Sequence, residues 1–231
     1  MLAPMEGAAA DALTELEREI DAPGAGLDRL RLVPTPFVPE VRLHLAVDAI
    51  VWWARMEASA GHPLPAPYWA SAWAGGQGLA RHLLNHPELA AGRRVLDLAA
   101  GSGLVAIAAA LAGASAVTAN DIDPYAVAAV TLNARANRVA VDATGDDLLD
   151  GAGTDVDLVV AGDVFYDRAL ADRVLPFLER AAASGAVVLV GDPGRDHLPA
   201  DRLAVLADYP VPTTEPTVDS SPRHVQVLRP V

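Results

Sequence analysis

The chain has 231 residues, 52% hydrophobic and 20% charged, enough to bury one large core and too apolar for wholesale disorder. Acidic residues outnumber basic ones, 30 Asp and Glu against 17 Lys and Arg, and the net charge of −13 argues against nucleic-acid binding and favours basic partners. With no cysteine, no apolar run near the ~20 residues of a membrane span and no basic-then-apolar leader, disulfides, thiolate metal sites and membrane contact are excluded, and a cytoplasmic location is expected.

Taken in chain order, residues 8–21 read as an amphipathic helix with Leu13, Leu16 and Ile20 on one face. Residues 22–40 carry four prolines and read as a linker with short extended pieces. "PEVRLHLAV" alternates like a strand, while "AIVWWARMEAS" fits a strand or a short helix. "GHPLPAPYWASAWAGGQ" reads as an aromatic-rich loop, followed by a helix from Gln77 to Leu84. The domain proper is expected over residues 41–231, with 1–40 as an N-terminal helix and linker.

The chain then alternates. Strands are expected at Val95–Leu98, Ala116–Ala119, Val139–Ala143, "DVDLVVAGD", "AVVLVGD" and "HVQVLRP". Helices are expected at Leu104–Leu111, Pro124–Ala136 and Ala169–Ala182, and another is expected to end over Leu203–Ala207. Such alternation builds an α/β fold: a Rossmann-like, doubly wound parallel sheet covered on both faces. Ligands bind such sheets beyond the carboxyl ends of the strands, where strand order reverses.

"DLAAGSG", Asp97 to Gly103, follows the first strand of this series. Gly101-Ser102-Gly103-Leu104-Val105-Ala106 fits a dinucleotide fingerprint, with Asp121 twenty residues beyond Gly101. A nicotinamide dehydrogenase is one reading. S-adenosylmethionine is the other. It carries an ammonium and a sulfonium but no phosphate, so Asp97 at the turn suits it and would repel a pyrophosphate. Asp121 then takes the ribose hydroxyls, and Asp147 or Asp146 accepts from the adenine amine.

Five stretches together resemble the electron-transfer-flavoprotein β-subunit lysine methyltransferases: "PYWASAWAGGQGLARHLL", "VLDLAAGSGLVAIAA", "ANDIDPYAVAAVTLNARAN", "DLVVAGDVFYD" and "VLVGDPGR". These are seven-β-strand S-adenosylmethionine enzymes. The resemblance implies a seven-stranded sheet, mostly parallel with an antiparallel last strand. It departs from the usual motif at Ala99, where a first glycine is usual. It implies that Trp73, Gly75 and Gly76 cover the cofactor, and that Asp97, Ala99, Gly101, Gly103 and Asp121 line its methionine and ribose. Ala161 would lie near the adenosyl part, while Asp163 and Tyr166 would face the acceptor lysine. Arg195 would anchor an acidic substrate segment or tie down its own loop, and Trp52, Trp53 and Trp69 would serve packing. The expected acceptor is a lysine-bearing protein, either the flavoprotein β subunit or a ribosomal protein, with a small nicotinamide-like amine as the alternative. A cofactor-binding module without activity is a further alternative.

Methyl transfer from a sulfonium to an amine needs alignment rather than a protein nucleophile. The lack of an evident Ser-His-Asp set agrees with this. The six histidines read as scattered, without a helix-spaced ligand pair, and no metal is expected.

Overall fold

The computed structural model describes residues 3–22, 24–151, 155–212 and 222–231. Its centre is a seven-stranded sheet of order β5-β4-β3-β6-β7-β9-β8. The strands are β3 (Arg94–Leu98), β4 (Ala116–Asn120), β5 (Asp142–Thr144), β6 (Leu158–Gly162), β7 (Val187–Asp192), β8 (Leu203–Val211) and β9 (Arg223–Pro230). Pairing is parallel from β5 through β7, and β9 runs antiparallel to both its neighbours.

β3, β6 and β7 read as near-continuous apolar runs because both faces are covered. Alternate residues serve opposite faces. Val95, Leu158, Val160 and Leu189 pack beneath α3 (Ala74–Asn85) and α4 (Leu104–Leu111). Leu96, Leu98, Val159, Ala161, Val188 and Val190 pack against α6 (Arg168–Ala183). The chain goes outward from β3 through β4 to β5, then returns to β6 and β7 on the other side, so the order reverses between β3 and β6.

The N-terminal part is more structured than a linker. β1 (Leu30–Pro34) and β2 (Arg42–Ala46) form an antiparallel hairpin of their own, so a boundary at residue 41 falls inside that hairpin. The ambiguous "AIVWWARMEAS" is helix α2 (Ala49–Ala60). Local signals settle it: Asp48 caps the Ile50 and Val51 N–H groups at 3.0 Å, and Gly61 ends the helix at φ 74°. With α1 (Ala3–Asp21), it packs through Leu16, Trp52 and Met56 against α5 (Pro124–Asn137).

Two expectations are corrected here. Leu203–Ala207 is not the end of a helix but the first half of edge strand β8, paired with β9. A β-bulge between Val205 and Ala207 shifts the alternation, so the apolar residues fall at irregular spacing that imitates a helix. α3 begins at Ala74 rather than Gln77, because the distant Asp163 carboxylate accepts the Gly76 N–H at 3.0 Å in its first turn. No helix among the described residues is long and apolar enough to cross a membrane.

Candidate active site

A cavity of about 290 Å³ opens at the carboxyl ends of β3, β4 and β6, at the point where strand order reverses. Ala99 and Gly101 form its floor, and Asp121, Ile122 and Asp123 one wall. Asp147, Leu148, Leu149 and Arg173 close one end; Tyr68, Trp69, Trp73, Asp163, Tyr166 and Arg195 surround another part.

The turn after β3 is tight. Ala99 has φ 53° and Gly101 φ 53°, so Ala99 holds a left-handed backbone that favours glycine. Asp97 lies beneath the turn, buried, and its Oδ2 accepts the Ala106 N–H at 2.8 Å in the first turn of α4. Burial pushes its carboxyl up to about 7, against the lowering effect of that hydrogen bond. Asp97 therefore caps a helix and is not part of the cavity lining. Gly103 also lies outside the lining: it packs against Val130, the nearest atom 3.1 Å from where a β-carbon would stand.

Asp121 faces the cavity, with Oδ2 accepting from Gly101 N–H at 2.9 Å and Oδ1 from Asp123 N–H at 3.0 Å. Burial raises its pKa, and these backbone bonds oppose the shift. A carboxylate has about four lone-pair sites, so acceptor capacity remains on the cavity side of Asp121. Ile122, 64% exposed, offers an apolar face beside it. Asp147 lies at the adjoining end, but Arg173 Nη2 bonds both its oxygens at 3.0 and 2.8 Å. That guanidinium lowers the Asp147 pKa.

Asp163 closes β6 in left-handed backbone, φ 57°. Its Oδ1 accepts from Arg195 Nε at 3.1 Å and Nη2 at 2.6 Å, and its Oδ2 from Gly76 N–H. Burial raises its pKa, opposed mainly by Arg195. This carboxylate reaches the cavity largely saturated, so it does not stand free to receive an ammonium. Tyr166 does stand free in part, 46% exposed.

Gly75 and Gly76, expected to cover the cofactor, do not line the cavity themselves but lie directly behind its Asp163 wall. A β-carbon at Gly75 would lie 2.3 Å from Gly191 O and 2.6 Å from Asp163 Oδ2, so that glycine lets α3 settle onto β6 and β7. Ala161 is likewise absent from the lining, because it is fully buried on the α6 face of the sheet. Trp69, expected only to pack, is buried and also lines the cavity. Arg195 ties down its own loop. Its backbone N–H donates to Asp192 Oδ1 at 2.7 Å, and its guanidinium lies 5.5 Å from the Trp73 ring centroid.

Sequence reading missed Tyr68 and Ile122; their signal is an aromatic before Trp69 and an apolar residue directly after the strand-end acid. It also missed that His82 and His86 are four residues apart, with ring centroids 4.7 Å apart at the end of α3. His82 Nδ1 is paired with the Tyr209 hydroxyl at 3.0 Å. Among the described residues, no group of three or more side chains is placed to hold a metal ion.

The cavity suits a cationic, phosphate-free nucleoside. Four carboxylates line it against two guanidiniums. A pyrophosphate at the start of α4 would meet the Asp97 carboxyl, which already takes the Ala106 N–H.

Comparison with known proteins points the same way. Residues 82–184 match the family model described as ribosomal protein L11 methyltransferase (PrmA). The chain is 46% identical over 180 residues to the electron transfer flavoprotein beta subunit lysine methyltransferase of Danio rerio, covering 75% of this chain and 69% of that one. To the Rattus norvegicus protein of the same name it is 41% identical over 186 residues, covering 78% and 71%. In fold it resembles the solved ribosomal protein L11 methylase of Lactobacillus delbrueckii subsp. bulgaricus, with TM-score 0.50 and 20% identity, covering 69% of this chain and 80% of that one.

Proposed function

The chain belongs to the electron-transfer-flavoprotein β-subunit lysine methyltransferase family, whose cofactor is S-adenosylmethionine and whose reaction is protein-lysine methylation, and from that premise we propose that its own acceptor is a lysine of the flavoprotein β subunit. The observation that carries the reading is the carboxylate-lined cavity at the switch point of the sheet, with a half-exposed aromatic mouth. The bound cofactor supplies an electrophilic methyl group.

Asp121 takes the ribose hydroxyls on its cavity-facing lone pairs, and Ile122 lies against the purine. Ala99 and Gly101 bring the backbone close to the methionine part, and Asp147, held by Arg173, borders the adenine amine. Trp73 covers the site from the loop before α3. Asp163 is a positioning residue: it fixes Arg195 and the start of α3. Tyr166 faces the acceptor.

A lysine has pKa ~10.4, so at pH 7 roughly one in two thousand is neutral. A free carboxylate beside the amine would worsen this by stabilising the cation. Arg195 removes that obstacle by neutralising Asp163. Burial and its neighbours raise the Tyr166 pKa, so the phenol stays protonated and aims the amine rather than acting as a base. The amine proton leaves to water at the mouth.

The test is incubation with labelled S-adenosylmethionine and recombinant electron-transfer-flavoprotein β subunit from the same source, with the labelled site mapped by mass spectrometry. Label on lysine is expected. Label confined to a ribosomal protein, or to a small nicotinamide-like amine, would overturn the assigned acceptor.

A further inference from the structure

Five side chains from three loops close into a collar at the cavity. Asp163 is paired with Arg195 at 2.6 Å. Arg195 lies over the Trp73 ring, and Trp73 Nε1 donates to the Tyr68 carbonyl at 2.7 Å. The Tyr68 ring lies 5.9 Å from Trp73 and 5.4 Å from Tyr166, centroid to centroid. Tyr166 returns to Asp163 along the same loop, and all five line the cavity.

We propose that Tyr68 is an acceptor-binding residue, forming with Tyr166 the surface along which the alkyl stem of the acceptor lysine lies. The inference deepens the protein-lysine reading and rests on it. Phe165, Phe177, Trp52 and Trp69 are buried, whereas Tyr68 is 51% exposed at the cavity. An exposed aromatic held this firmly has a face to offer. Pro65 and Pro67 stiffen the approach to it, and the Trp73 indole pins its carbonyl. A lysine stem is apolar with a polar tip, and two tilted rings present an apolar strip that fits an unbranched chain. The collar also carries no unbalanced charge, since its one cation and one carboxylate are paired. It therefore holds the stem without stabilising the ammonium form that cannot react.

The test compares wild type with Tyr68→Ala, Tyr68→Phe and Tyr68→Gln, using recombinant electron-transfer-flavoprotein β subunit as acceptor. Tyr68→Ala should raise the acceptor KM about tenfold, the loss of one ring contact, with kcat within about twofold. S-adenosylhomocysteine affinity by calorimetry should not change. Tyr68→Phe should match wild type, and Tyr68→Gln, which keeps bulk without the ring, should behave as the alanine variant does and serves if that one folds poorly. An unchanged acceptor KM in Tyr68→Ala and Tyr68→Gln, or a parallel fall in cofactor affinity, would overturn the inference alone. Wild-type enzyme that labels no lysine in any host protein would overturn the protein-lysine reading, and this inference with it.

Discussion

Three aspartates at the site spend their charge on backbone amides before any ligand arrives. Asp97 holds the start of α4, Asp121 the glycine turn, and Asp163 the start of α3. Burial sets a cost on all three, and at Asp97 it raises the pKa from 3.8 to about 7. Because folding raises this pKa, the native state binds the proton more tightly than the unfolded chain. The stability linked to it is full below pH ~4 and is lost as pH rises through about 7. Replacing Asp97 by Asn keeps an acceptor for Ala106 and removes the titration. Between pH 5 and pH 8 the wild type should lose on the order of 2–3 kcal/mol relative to Asp97→Asn. Urea unfolding of both proteins at the two pH values measures this, and an equal gap at both would refute it. At Ala99 the cost is conformational: a β-carbon in left-handed backbone is disfavoured by roughly 1–2 kcal/mol.

At the scale of elements, α3 joins fold to site. Its first turn lies against the ends of β6 and β7, where a β-carbon at Gly162 would come within 2.8 Å of Gly76 Cα. The two adjacent glycines of α3 have different tasks. Gly75→Ala would drive a methyl into Gly191 O and the Asp163 carboxylate. It should cost about 2–3 kcal/mol and loosen the Asp163–Arg195 pair, lowering both melting temperature and turnover. At Gly76 the nearest atoms to an added β-carbon are Leu104 and Val105 side chains at 3.9 Å. Gly76→Ala should therefore be tolerated, gaining up to about 1 kcal/mol from helix propensity. Thermal melts of the pair check the contrast. Two similar results would mean that the close approach of helix to strands does not govern this contact.

Across the whole molecule, the N-terminal elements reach the cavity through aromatic rings. Trp52 of α2 meets Trp69 edge-on at 5.2 Å, and Trp69 stacks on Tyr125 of α5 at 6.4 Å. Trp69 in turn is cavity wall. An ion pair between Arg55 and Glu19 fastens α2 to α1. Trp52→Ala should thus do more than open a core cavity. A loss of about 3–5 kcal/mol is expected from the truncation, with weaker S-adenosylhomocysteine binding in the protein that remains folded. Calorimetry below the melting temperature separates the two effects. Unchanged affinity would show that the N-terminal elements support the fold but not the wall.

How much of this was legible in the sequence depended on how local each cause is. The apolar runs of β3, β6 and β7, Asp123 before Pro124 at the head of α5, and the glycine turn after Leu98 act through neighbouring residues, so strand–helix alternation and the place of the site could be read directly. α2 reads ambiguously from its apolar pattern, although its caps, Asp48 and Gly61, are local signals. β8 was misread because a bulge is decided by pairing with β9, which the chain reaches only after another dozen residues. The site divides in the same way. Asp121 and Gly101 meet across a twenty-residue βα unit of known spacing. Asp163, Arg195, Trp73 and Tyr68 come from three loops, and only the folded chain brings them into contact. Periodicity and turn chemistry are written residue by residue, so the α/β sheet and the nucleoside site at its switch point could be read without the fold. Only the folded chain shows that Asp97 turns under a helix start and that Asp163 reaches the cavity already paired with Arg195 and the Gly76 N–H, because a buried carboxylate takes whichever donors the packed elements bring within reach.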